Sequence, residues 1–120
     1  VAEPARIDFD DADCQDGLLI TYQGTPFTGE VFERHPNGQV IAVTGYTDGR
    51  EDGPSHEWYP TGELKAKGLV SNGRAVGLHQ EWFRDGSLTR EDHFDNKGNL
   101  LASRTWNEDG VLTEEKIYRR

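Results

Sequence analysis

The feature that most constrains this chain is a nine-residue stretch, His56-Glu57-Trp58-Tyr59-Pro60-Thr61-Gly62-Glu63-Leu64, which is written four times in altered form. Twenty-four residues on comes Gln80-Glu81-Trp82-Phe83-Arg84-Asp85-Gly86-Ser87-Leu88, and after another twenty-four Arg104-Thr105-Trp106-Asn107-Glu108-Asp109-Gly110-Val111-Leu112. The same step backwards reaches Phe32-Glu33-Arg34-His35-Pro36-Asn37-Gly38-Gln39-Val40. A second glycine series keeps the period (Gly29, Gly53, Gly77), and a third nearly does (Gly49, Gly73, then Gly98 one residue late). A period of roughly twenty to fifty residues means that each unit is one supersecondary element stacked on its neighbours.

The length, 120 residues, suits one domain. With 33% hydrophobic residues and a mean hydropathy of −0.81, the chain has too little apolar material for a thick two-layer core, so a thin object is expected. Its 22 acidic and 13 basic residues give a net charge of −9, which disfavours nucleic acid and anionic membrane and suits a cationic partner. The lone Cys14 cannot form an internal disulfide, which fits a reducing compartment such as the cytoplasm. The absence of methionine places Val1 downstream of an initiator, and no apolar run is long enough to span a membrane.

Residues 1–16 carry Asp8, Asp10, Asp11, Asp13 and Asp16 without the repeat signature and read as an acidic arm ordered by Ile7 and Phe9. A calcium loop opening at Asp8 would need glycine at its sixth position and glutamate at its twelfth, where Asp13 and Leu19 stand. Residues 17–120 form one repeat domain, with units at about 29–52, 53–76 and 77–101 and a capping unit at 102–120. Between Gly17 and Gly110 no glycine-free interval exceeds eleven residues, so helices are excluded in favour of short strands. Asn37-Gly38, Thr61-Gly62, Asp85-Gly86 and Asp109-Gly110 read as two-residue type I′ hairpin turns, with Asp48-Gly49 and Asn72-Gly73 marking the opposite, longer reversals. The expected fold is all-β: an elongated, single-layer antiparallel meander of about eight to ten strands.

Two-residue turns would set Tyr59 opposite Leu64 and Trp58 opposite Lys65. One face would then collect His35, Tyr59 and Phe83 with Val40, Leu64, Leu88 and Leu112; the other would carry Arg34, Ile41, Trp58, Lys65, Trp82, Thr89, Trp106 and Thr113. Glu33, Glu57 and Glu81 form a carboxylate ladder at the repeat period, on the Tyr59 side. Gly68 is expected inside a strand, where a side chain costs less than at the turn glycine Gly62.

No catalytic constellation emerges. The histidines His35, His56, His79 and His93 lack metal-ligand spacing, Cys14 has no basic neighbour to activate it, and Ser55, Ser71 and Ser87 are assigned to turns. No catalytic, cofactor-binding or metal-binding residue is therefore assigned. The tryptophans read either as scaffold packed across the sheet or as anchors left exposed on a single-layer sheet, with Trp58, Trp82, Trp106, Lys65 and the ladder Glu33, Glu57, Glu81 as candidate partner-binding residues.

The pattern Gly-x-x-x-Glu-Trp-Tyr-Pro-x-Gly-x-Leu-x-x-x-Gly-x-x-x-Asn-Gly at Gly53 to Gly73, less exact from Gly77 to Gly98, resembles the bacterial variant of the MORN repeat. With the lead-in Pro26-Phe27-Thr28-Gly29-Glu30-Val31 and the acidic arm, residues 7 to 118 are similar to the YwqK-type antitoxin or immunity family. The extra residue before Gly98 and Asn107 in an aromatic place depart from the pattern. The resemblance implies a non-enzymatic protein that occludes a cognate toxin, here a basic one, with no cofactor; the alternative is a MORN-type scaffold or membrane-associated interaction module. The net charge of −9 leans against anionic lipid.

Overall fold

The computed structural model describes residues 6–15 and 19–118. Asp16, Gly17 and Leu18, assigned above to the end of the arm and the start of the repeats, lie outside the described residues. Among the described residues twelve strands follow one another: β1 (Arg6–Asp8), β2 (Asp13–Gln15), β3 (Leu19–Tyr22), β4 (Thr25–Pro26), β5 (Gly29–Arg34), β6 (Val40–Thr47), β7 (Arg50–Trp58), β8 (Leu64–Ser71), β9 (Arg74–Trp82), β10 (Leu88–Phe94), β11 (Leu100–Trp106) and β12 (Leu112–Ile117). One 3-10 turn, Phe9–Asp11, separates β1 from β2. Strands β5 to β12 pair antiparallel in chain order, β1 joins β5 in parallel, and β2, β3 and β4 make a small second sheet. The all-β meander read from the repeat is the observed fold, within extents of 51 × 39 × 24 Å.

The turns are the reverse of the expectation. At Tyr59-Pro60-Thr61-Gly62 the Gly62 N–H donates to the Tyr59 carbonyl at 2.8 Å, and the Tyr59 N–H donates to the Glu63 carbonyl at 2.8 Å. Gly62 stands at φ 104°, while Thr61 keeps a negative φ. This is a three-residue type I turn closed by a left-handed glycine. The same pair of bonds recurs around Gly38, Gly86 and Gly110. Proline accounts for two of the four turns: Pro36 and Pro60 fix φ near −65°, which suits the first central position of a type I turn, whereas just before a two-residue turn at Asn37-Gly38 or Thr61-Gly62 each would lack the N–H that closes the hairpin. Two-residue turns with positive φ at both positions lie at the other end of the large sheet, at Asp48-Gly49 and Asn72-Gly73, and in the small sheet at Gln23-Gly24. The late Gly98 has a structural counterpart, since Asp95-Asn96-Lys97-Gly98 makes a three-residue turn where its predecessors are two-residue.

The three-residue turn leaves one extra residue in each returning strand, so the facing assignments change. Leu64, not Lys65, stands opposite Trp58, with Val40 opposite Arg34, Leu88 opposite Trp82 and Leu112 opposite Trp106. These four aliphatic residues therefore share the tryptophan face and not the Tyr59 face. Lys65 is the extra residue and turns its Nζ over the Tyr59 ring, 5.8 Å from the centroid. In the equivalent place, Thr113 bonds Thr105 across the strands at 3.0 Å.

The core lies at the N-terminal end. Ile7, Ile20, Phe27 and Val31 pack together, with Ala12, Tyr22 and Tyr46 against them. The acidic arm thus reaches into the fold: Ile7 is buried in the edge strand β1, Arg6 pairs with Glu30 at 2.8 Å, and Asp8 accepts from the Asp10 N–H at 2.9 Å. Phe9, the other residue expected to order the arm, is instead exposed. The small sheet docks by backbone bonds from Ile20 N–H to the Gly49 carbonyl and from Gly49 N–H to the Phe27 carbonyl, both 2.8 Å. A Cβ at position 49 would come within 2.8 Å of the Ile20 carbonyl oxygen, which requires glycine there. Past β6, Val70 and Val76 are the only buried apolar side chains among the described residues. The remainder of the sheet is one layer, held by its ladder and by cross-strand pairs of about 0.2–1 kcal/mol each.

Candidate interaction surface

Register alone builds one candidate surface. Across the strands the residues Glu33, Ala42, Glu57, Ala66, Glu81 and Arg90 stand opposite one another in turn, so the three carboxylates occupy one row with an alanine between each pair. All three glutamates are exposed. Being two strands apart puts their backbones roughly 9.5 Å from each other. At that distance, in water, like charges repel by only about 0.4 kcal/mol per pair, and salt reduces this further. The row therefore needs no partner to exist, yet it sums to a directional negative field.

The alanines give the row depth. Beside Glu57 and Glu81 is a hollow of about 150 Å³ lined by Ser55, Ala66, Gly68 and His79 among others. One hairpin earlier, beside Glu33, a hollow of about 160 Å³ has Ala42 and Thr44 in the corresponding places, with Tyr46 and Glu51. Small residues at the middle of each hairpin make both. Ser55, which the sequence assigns to a turn, lies inside β7 and bonds Thr44 at 3.2 Å. Sequence reasoning missed the hollows, although Ala42 and Ala66 stand one period apart and Gly68 follows Thr44 by the same step.

The tryptophans occupy the opposite face. Trp58, Trp82 and Trp106 stand in one row, each beside its cross-strand leucine and each only partly exposed. His56 stacks on Trp58 with ring centroids 5.8 Å apart, and Lys67 Nζ lies 5.8 Å from the Trp82 ring centroid. The structure thus separates the candidate residues into two sets: Trp58, Trp82 and Trp106 on one face; Glu33, Glu57, Glu81 and the head group of Lys65 on the other. A flat partner can engage one set at a time.

Cations flank the carboxylate row at the turn end. Arg84 and Lys65 both approach the Tyr59 ring, at 5.2 Å and 5.8 Å from its centroid, and the Tyr59 hydroxyl donates to the Trp82 carbonyl at 2.6 Å. At the turns, the Thr61 hydroxyl bonded to Glu63 and the Ser87 hydroxyl bonded to Asp85 hold those two carboxyls below their ordinary values. Among the described residues no group of three histidine, cysteine or acidic side chains stands close enough to hold a metal ion, and no helix is long and apolar enough to cross a membrane.

The fold defines the chain as an all-β array of stacked hairpins. No protein-family model, curated protein or solved structure matches it.

Proposed function

We propose that this chain binds a basic partner protein without chemistry and, in line with its resemblance to the YwqK-type antitoxin family and its MORN-like repeats, that it occludes a cognate toxin. The observation that carries this reading is the repetition on one face of a carboxylate beside a hollow lined by an alanine, at Glu33 with Ala42 and again at Glu57 and Glu81 with Ala66. Each hollow has room for one long side chain, and a lysine or arginine entering it meets a carboxylate at the rim. Such a face speeds encounter with a basic protein by long-range attraction and fixes register by the spacing of its hollows.

The tryptophan row fits a supporting role in this reading, because its rings are already half covered by Leu64, Leu88, His56 and Lys67. The test is co-expression with the product of the adjoining reading frame. The expected result is relief of growth arrest together with a complex that survives purification. Binding to anionic vesicles with no such complex would replace this reading by the membrane-associated scaffold.

A further inference from the structure

The two ends of the nine-stranded sheet differ. At one end the edge is β1, three residues long and followed at once by the Phe9–Asp11 turn. At the other it is β12, six residues long, and among the described residues no strand pairs with its outer side. An uncovered strand of this length presents a row of unmet N–H and C=O groups that can template another strand. Exposed apolar side chains gather there too. Among the described residues, Val111, Leu112, Ile117 and Tyr118 make up four of the seven exposed large hydrophobic residues, and Ile117 is 64% exposed.

Charge and register indicate what pairs there. The chain as a whole carries −9, yet its last ten residues set Glu114 and Glu115 against Lys116, Arg119 and Arg120. Tyr118 N–H donates to the Leu101 carbonyl at 2.9 Å, and the ladder runs Ala102 with Ile117, Ser103 with Lys116 and Arg104 with Glu115. Backbone groups alternate sides along a strand, so Lys116 and Glu114 direct theirs to β11, while Glu115 and Ile117 direct theirs outward. A second β12 running antiparallel can then meet the first with Glu115 at the two-fold axis. In that register Glu114 faces Lys116 of the second copy, and Lys116 faces its Glu114, in the closely spaced non-hydrogen-bonded pairs. Within one chain Lys116 already lies 2.9 Å from Glu114, so four alternating charges close a ring. The one unfavourable juxtaposition, Glu115 with its twin, is relieved because each Glu115 is held by its own Arg104 at 2.6 Å.

We infer that two copies of this chain join through their β12 edges, in the two-fold register centred on Glu115, to form one continuous sheet. A two-fold axis perpendicular to the sheet places both carboxylate faces on the same side, which makes the assembly bivalent for any partner of that face. The inference rests on the edge and its charges and is independent of what the face binds.

Sedimentation equilibrium of the purified chain tests it. The expected mass is that of two 13.5 kDa chains at high concentration, falling toward one on dilution. Lys116→Glu should shift the equilibrium strongly to the single chain, because like charges then face each other twice. The exchange Glu114→Lys with Lys116→Glu should restore the pair, since it preserves both contacts across the axis. Ile117→Pro removes an outward N–H without breaking the bonds to β11 and should abolish association, with an unchanged β-type circular dichroism spectrum. A parent chain that stays single throughout, a mass that keeps growing beyond two copies, or a pair that survives Ile117→Pro would overturn the inference.

Discussion

The imidazole of His79 lies across Gly68 of the neighbouring strand, in the space that a Cβ at position 68 would need. His79 is held there by an Nε2 contact of 2.8 Å to the Leu69 carbonyl and by an edge-to-face contact with Phe94 at 5.1 Å. Gly68 has ordinary strand angles, so its requirement for glycine comes from a neighbour and not from its own backbone.

Gly68→Ala should therefore destabilise the protein, by about 1–3 kcal/mol in line with forced displacement in a packed site. The sequence alone ranks Gly68 as tolerant; the packing of His79 removes that tolerance. A double-mutant cycle in urea checks the cause. If His79 is the obstacle, Gly68→Ala should cost clearly less in a His79→Ala background, with a coupling of about 0.5–3 kcal/mol. Additive losses would mean that the ring is not what excludes the methyl group.

The turn geometry separates two substitutions. Asn72 stands at φ 49° in a two-residue turn, whereas Thr61 keeps a negative φ. Asn72→Val should then cost more than Thr61→Val, by about 1–2 kcal/mol, because a β-branched residue at positive φ is strained. Urea midpoints of the two variants decide the matter, and equal losses would contradict a two-residue turn at Asn72 and a three-residue turn at Thr61.

Asp85 offers a test by pH. The Ser87 hydroxyl, at 2.6 Å, and then the Ser87 N–H, at 2.8 Å, hold its carboxyl below the ordinary aspartate value. A group whose pKa is lowered on folding stabilises the fold above its unfolded pKa and loses that effect as pH falls through the folded value. Asp85→Ala should lower the urea midpoint at neutral pH, and the gap should narrow in acid. A gap independent of pH would show that the charge is not engaged by the turn.

Deleting residues 53–76 removes one whole period and joins Asp52 to Gly77, which stands where Gly53 stood. In a one-dimensional array the product should fold at reduced stability. Removing half a period takes out one strand, delivers the chain to the wrong end of the sheet, and should fail. The structure adds a refinement: His79 would now face Thr44, which in the parent meets Ser55 at 3.2 Å. Circular dichroism melts should show the deletion carrying His79→Ser to be the more stable.

Period, strand class and strand order depend on glycine and aromatic spacing, which is local and repeated, and these read directly from the chain. The carboxylate row was also legible, because Glu33, Glu57 and Glu81 differ by whole periods and must share a face. The cross-strand partners were not, since one extra turn residue moves Lys65 away from Trp58 and puts Leu64 there. The clue was present in Pro36 and Pro60, which lack the N–H that a two-residue turn needs at the residue before it. The His79 contact and the role of Ile7 depend on residues distant in sequence and outside the repeat, where periodicity carries no information.

The most direct test of the functional account is the association rate of this protein with the purified product of the adjoining reading frame, measured across ionic strength. Replacing Glu33, Glu57 and Glu81 together by glutamine should slow association by about an order of magnitude at low salt, flatten the salt dependence and leave dissociation nearly unchanged. Trp82→Ala, on the opposite face, should leave association as in the parent. A folded triple variant that associates at the parent's rate with the parent's salt dependence would contradict the carboxylate face as the binding surface.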